Sequence, residues 1–201
     1  MRWGNLKPDR RQERAPTPSS GKAPVTSPMS VIEPSILPAS SLLQAYGAGS
    51  GYADCFVTEL AGATTLESFV EAFYTSPLFK VERAMLRWLA SRPSSDLDAR
   101  DLATGARTMF AAWSVEARSS DQLLLADFTG RTRSWLMVEP FESPARTRGT
   151  RLYFGSAIMP RRDKRTGREH MGWAFHALLG FHNLYSRMPL RSARTMLKRQ
   201  A

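Results

Sequence analysis

The chain has a single cysteine, Cys55, among its 201 residues. A lone thiol closes no internal disulfide and builds no cysteine metal cluster, so a reducing, cytoplasmic setting is expected. Long apolar runs are missing too: no stretch reaches the ~18 uninterrupted apolar residues that crossing a bilayer requires. The first residues, Met1-Arg2-Trp3-Gly4, lead into a proline-rich basic segment without the apolar core of a secretory signal. Histidine is scarce. His170, His176 and His182 are spaced by six, which advances ~240° per step on a helix, so neighbouring pairs cannot share a face as i, i+4 metal ligands must. No metal site and no cofactor are expected. The glycine-rich run Tyr46-Gly47-Ala48-Gly49-Ser50-Gly51 precedes a strand and lacks a Gly-Lys-Ser/Thr ending, which excludes a phosphate loop. No internal repeat, zinc finger or RNA-recognition signature is visible.

What is present is ordinary globular composition, 42% hydrophobic and 23% charged, in a length suited to one domain. The formal charge of +10 is unevenly spread: residues 1–22 carry +4, residues 23–145 carry −5 and residues 146–201 carry +11. Seven of the thirteen prolines fall in the first 38 residues, among Ser, Thr and Gly, with too few large apolar side chains to offset the entropy of ordering them. Residues 1–35 are therefore expected to be a disordered Pro/Arg-rich tail, and residues 36–201 a single domain with a basic C-terminal end.

Within that domain, Tyr52 to Leu60 reads as a strand. Thr64 and Glu67 suggest a capping box that opens a helix to Ser76. Pro77 divides this helix from a second one carrying Leu78, Val81, Met85, Leu86 and Leu89 on one face. Met109–Glu116, Gln122–Phe128 and Arg131–Glu139 are expected to form an antiparallel meander turned at Ser119-Ser120-Asp121 and Thr129-Gly130, followed by a strand from Thr150 to Met159. Pro160 to Arg168 reads as a charged loop. Met171 to about Arg187 reads as a long apolar helix that Pro189 breaks ahead of the basic end Arg191–Arg199.

This order of elements is that of the α+β helix-grip fold, in which a curved antiparallel sheet packs on a long C-terminal helix and leaves a cavity between them. Tyr52-Ala53-Asp54-Cys55-Phe56, with the helix pair from Leu66 to Leu89, resembles the opening of a bacterial uncharacterised family. That family has a START-like (SRPBCC-like) fold and is sometimes fused behind NAD(P)-binding domains of short-chain-dehydrogenase type. Leu125-Ala126-Asp127-Phe128 is similar to its central strand, and Leu184-Tyr185 with Pro189 and Ala193–Leu197 to its closing segment. The resemblance covers most of residues 52–198. The sequence departs from the family's pattern in its basic loop at Arg161–Arg168 and its extended N-terminus. The resemblance implies a cavity for an apolar ligand and no catalytic residue.

Strand alternation puts Asp54, Phe56 and Thr58 on one face, and Trp113 with Met109 and Val115 on one face of the next strand. Asp54 is then either the odd polar residue in an apolar lining or a solvated residue at the strand's start. Trp113 and Trp135 are expected to line a cavity closed by Trp173, His176 and Phe181 of the last helix, with Gly155, Gly172 and Gly180 leaving room in it. His176 and His182 suit either a hydrogen-bonded core edge or a ligand-polarising role. Cys55 suits a buried small hydrophobe better than a nucleophile.

Two classes of function stay open. One is a domain that binds an apolar small molecule or lipid, with a cyclase or isomerase as its enzymatic variant. The other is a surface-binding or protein-interaction module using the C-terminal end, where Arg191, Arg194 and Lys198 at i, i+3, i+7 form one stripe. For that stripe an anionic membrane ranks above nucleic acid, and a merely solvated face, favourable at a helix C-terminus, ranks above both.

Overall fold

The structure is a computed structural model, and it describes residues 32–47, 51–77, 79–80, 94–143, 146–162, 169–170 and 188–199. Seven antiparallel strands form one curved sheet: β1 (Glu33–Pro34), β2 (Tyr52–Ala61), β3 (Met109–Phe110), β4 (Trp113–Arg118), β5 (Gln122–Asp127), β6 (Thr132–Glu142) and β7 (Arg148–Ile158). Their spatial order is β1-β2-β7-β6-β5-β4-β3. A small ladder pairs β8 (Arg161–Arg162) with β9 (Glu169–His170). The described helices are α1 (Gln44–Gly47), α2 (Leu66–Tyr74), α3 (Asp96–Thr104) and α4, helical residues 188–199. The fold is thus α+β, an antiparallel sheet with a C-terminal helix. No helix among the described residues is long and apolar enough to cross a membrane.

The two faces of the sheet have different covers. Phe56, Leu60, Leu123, Leu125, Leu136, Val138, Leu152 and Phe154 join the buried side chains of α2 and α3 and Leu190, Ala193 and Leu197 of α4 in the main core. The opposite face presents Cys55, Leu124, Trp135, Met137, Tyr153 and Ala157, and these pack on Leu37, Leu42, Leu43 and Tyr46. From Ile32, which packs against the helical core, the chain pairs as β1 along the edge of β2 and crosses to the far face as a strap over residues 37–46. Glu33 and Pro34, within the stretch expected to be tail, stand opposite Val57 and Phe56.

Local chemistry accounts for the other departures from expectation. Thr65, not Thr64, caps α2: its hydroxyl accepts the Ser68 N–H at 3.2 Å, while Thr64 N–H is taken by the Thr150 hydroxyl at 3.0 Å. Ser76 caps the turn that begins at Pro77, accepting the Phe79 N–H at 3.3 Å, with proline at a position where its missing N–H costs nothing. The α3 helix was not expected. It opens on a capping box of Ser95 and Asp98, and Arg118 donates to the carbonyls of Leu102 and Ala103 at its far end. The expected strand over 109–116 is two strands turned at Ala111, whose φ is 51°. Pro189 lies within helical residues 188–199, with Leu190, Ala193 and Leu197 buried behind it. The expected helix over 171–187 falls outside the described residues.

Candidate functional site

Register brings three polar side chains into one row on the helix-facing side. Asp54 stands opposite Ser156, and Ser156 opposite Ser134, across three adjacent strands about 4.8 Å apart. The Asp54 Oδ1 accepts both the Ser156 backbone N–H at 3.0 Å and its hydroxyl at 2.7 Å. The Ser134 hydroxyl lies 3.3 Å from the Tyr74 hydroxyl, which α2 lowers onto the sheet. Tyr74 is held by rings, with Phe79 4.7 Å and Phe73 5.1 Å away between centroids. Continuing the row, Leu125 faces Ser134 and Val115 faces Leu125. The neighbouring row is Phe56, Phe154 and Leu136, wholly apolar and buried. Polar groups buried beside such a row are tolerated only when hydrogen-bonded to one another or to a bound molecule.

Of the residues expected to line a cavity, Asp54, Phe56 and Trp113 share this face, and Trp113 is partly buried against the main core. Trp135 does not. It lies on the opposite face beneath the strap, fully buried, and its indole Nε1–H donates to Gln122 Oε1 at 2.9 Å. The two tryptophans cannot line one cavity, because β6 presents Ser134, Leu136 and Val138 to the helices and Trp135 and Met137 away from them. Gly155 is on the far face too, and it leaves no room: a Cβ there would lie 2.9 Å from both Leu43 and Trp135 and 2.8 Å from the Asp54 carbonyl. Trp173, His176, Phe181 and His182 fall outside the described residues.

Cys55 is buried on the strap side, where burial and then the nearby Asp54 push its thiol up to about 12. It is therefore a protonated hydrophobe at neutral pH and no nucleophile. On that face Arg151 lies between Glu59 at 3.2 Å and Glu139 at 3.6 Å, and Tyr153 donates to Glu139 at 2.8 Å. Among the described residues no group of His, Cys, Asp or Glu is arranged to hold a metal. The basic stripe of α4 splits. Arg191 and Lys198 are exposed, whereas Arg194 is partly buried and its Nε donates to the Glu59 carbonyl at 3.0 Å.

Sequence reasoning missed Ser134, Ser156, Tyr74 and Gln122. Ser134 and Gln122 carry a local signal, a polar residue inside an apolar strand, but no sequence pattern gives the register that aligns Ser134 with Asp54. The chain matches no protein-family model, no curated protein and no solved structure in comparisons with known proteins.

Proposed function

We propose that the chain binds an apolar small molecule or lipid with one polar end, held between the helix-facing side of the sheet and the C-terminal helix in the manner of a helix-grip domain. The observation that carries this reading is the polar row Asp54, Ser156 and Ser134, extended by the Tyr74 hydroxyl and set beside the apolar row Phe56, Phe154 and Leu136. A few fixed polar groups in an apolar lining orient a ligand whose affinity comes from buried hydrocarbon. Val115, which continues the row through Leu125, and Trp113 two positions before it are partly buried against the same core and would supply that lining.

The test is organic extraction and mass spectrometry of the full chain purified without detergent, with titration of an apolar fluorescent probe. A consistent co-purifying molecule or saturable probe uptake is expected. Ser134→Val should weaken uptake and Trp135→Phe should leave it unchanged, because Trp135 is on the other face. Absence of both ligand and uptake overturns the reading.

A further inference from the structure

The far face of the sheet is covered by a connection between two paired strands. The chain that leaves β1 at Pro34 comes back as β2 at Tyr52, so the strap over residues 37–46 is tethered at both ends to one strand. At the first tether the Ser35 N–H donates to the Cys55 carbonyl at 2.9 Å. The strap's own backbone bonds are local: Ser41 N–H to the Pro38 carbonyl at 2.9 Å, Gln44 to Ser41 at 3.0 Å and Tyr46 to Leu43 at 2.9 Å. Among the described residues, no backbone group of 36–47 bonds to a backbone group of the sheet. Side chains hold the strap down instead. Leu43 is fully buried in one cluster with Trp135 and Cys55, and Gln122 takes the Leu42 N–H at 2.9 Å and donates to the Ser40 carbonyl at 3.1 Å. At the strap's end the Tyr46 hydroxyl donates to Glu116, whose other oxygen accepts Arg133 Nε at 3.1 Å, and the Arg133 guanidinium lies 4.4 Å from the Tyr46 ring.

The sheet does not depend on this cover. β7 pairs along its length with both β2 and β6, and the other face is filled by α2, α3 and α4. None of those contacts passes through residues 37–46. Lifting the strap therefore loses only the strap's own contacts and leaves the main core whole. A segment bound in this way opens at a lower free energy than the molecule unfolds.

We infer that the strap is a lid: it lifts as a unit from a folded sheet, pivoting on its two tethers to β2, with Leu43 leaving its seat and Tyr46 unlatching from Glu116. The far face thus alternates between a covered form and an open form that presents Leu124, Trp135, Met137 and the Cys55 thiol. The device is independent of the ligand reading, since Asp54, Ser156, Ser134 and Tyr74 take no part in it.

Cys55 is the chain's only thiol and sits buried beneath the strap, so it reports the opening: the reactive thiolate forms only once the thiol is uncovered. The experiment is labelling of the full, folded chain with dithionitrobenzoate at low reagent concentration, where reclosing outruns labelling, beside denaturant unfolding of the same variants. Wild type should label far more slowly than a free thiol, yet faster than global unfolding allows. Leu43→Ala should speed labelling about a hundredfold and Tyr46→Phe roughly fivefold, since each weakens the closed form. Leu102→Ala, in the main core, should shift the global folding equilibrium about a hundredfold and leave the labelling rate unchanged, because the closed and open forms share that core. Val70→Ala is the milder truncation in the same core and should behave alike. The inference is overturned if the core variants speed labelling by as much as they lower global stability, for the thiol is then reached only by unfolding the whole molecule. It is equally overturned if Leu43→Ala and Tyr46→Phe leave the rate unchanged, or if wild type labels as fast as a free thiol.

Discussion

The Trp135 indole and the Gln122 amide are joined across two neighbouring strands, Nε1–H to Oε1 at 2.9 Å, in the interior of the strap-covered face. The same Oε1 accepts the Leu42 N–H at 2.9 Å, and the Gln122 Nε2 donates to the Ser40 carbonyl at 3.1 Å. One side chain thus satisfies two strap backbone groups and a tryptophan. Gln122→Leu should strand all three and lower stability by about 2–4 kcal/mol. Chemical denaturation checks this, and a change below about 0.5 kcal/mol would show that the strap is not held by this residue.

Gly155→Ala tests the close approach on the same face. The added methyl would sit 2.9 Å from the Leu43 side chain and the Trp135 ring, with the backbone of Asp54 at 2.8 Å behind it. A loss of about 1–3 kcal/mol is expected from overpacking, and Gly155→Leu should be worse. If either variant kept wild-type stability, space would exist there that the packing denies.

Arg194→Ala and Arg191→Ala should separate, although the sequence sets them in one stripe. The first removes a hydrogen bond to an edge carbonyl and should cost about 1 kcal/mol; the second removes an exposed charge and should cost less than about 0.5 kcal/mol. Equal melting temperatures would count against the Arg194 bond.

Stability should decline in alkali from two groups on the far face. Burial and the hydrogen bond to Glu139 push Tyr153 up to about 12, and Cys55 is pushed to about 12 as well. The unfolded chain releases these protons near its ordinary values, about 9 for the thiol and 10 for the phenol, while the folded chain keeps them. The stabilisation is therefore complete below about pH 9 and drains away as pH rises toward 12. Tyr153→Phe should flatten the upper part of that decline in pH-dependent unfolding; an unchanged slope would remove Tyr153 from the account.

Much of the sheet was legible because alternation and turn chemistry are local. Gly130, in the left-handed region at φ 68°, and the Asp127 carboxylate, which accepts the N–H groups of Arg131 and Thr132, make the turn that Thr129-Gly130 announces. The face of Trp135 was not legible. Ser134 to Val138 are all buried, and a strand covered on both sides carries no contrast to say which side is which. Its cover, Leu37 to Tyr46, is too short and irregular to read as a packing element. The α3 helix was hidden by its chemistry: Asp96, Asp98, Arg100 and Asp101 dilute an apolar face of Ala99, Leu102 and Ala103, and only the pair Ser95 and Asp98 marked it. The polar row was beyond reach in principle, since Asp54 and Ser156 are 102 residues apart and meet only through pairing.

That separation also orders events during synthesis. β2 leaves the ribosome with two residues of β1 on one side, and β7, its partner across ten register pairs, follows about a hundred positions later. Until then β2 presents an open hydrogen-bonding edge and the apolar side chains of both its faces, the condition under which nascent chains pair with strangers. The strap waits too, because Gln122 and Trp135 must exist before it can dock. A chain stalled short of residue 148 is accordingly expected to depend on holding chaperones, and release of that dependence should coincide with the emergence of β7.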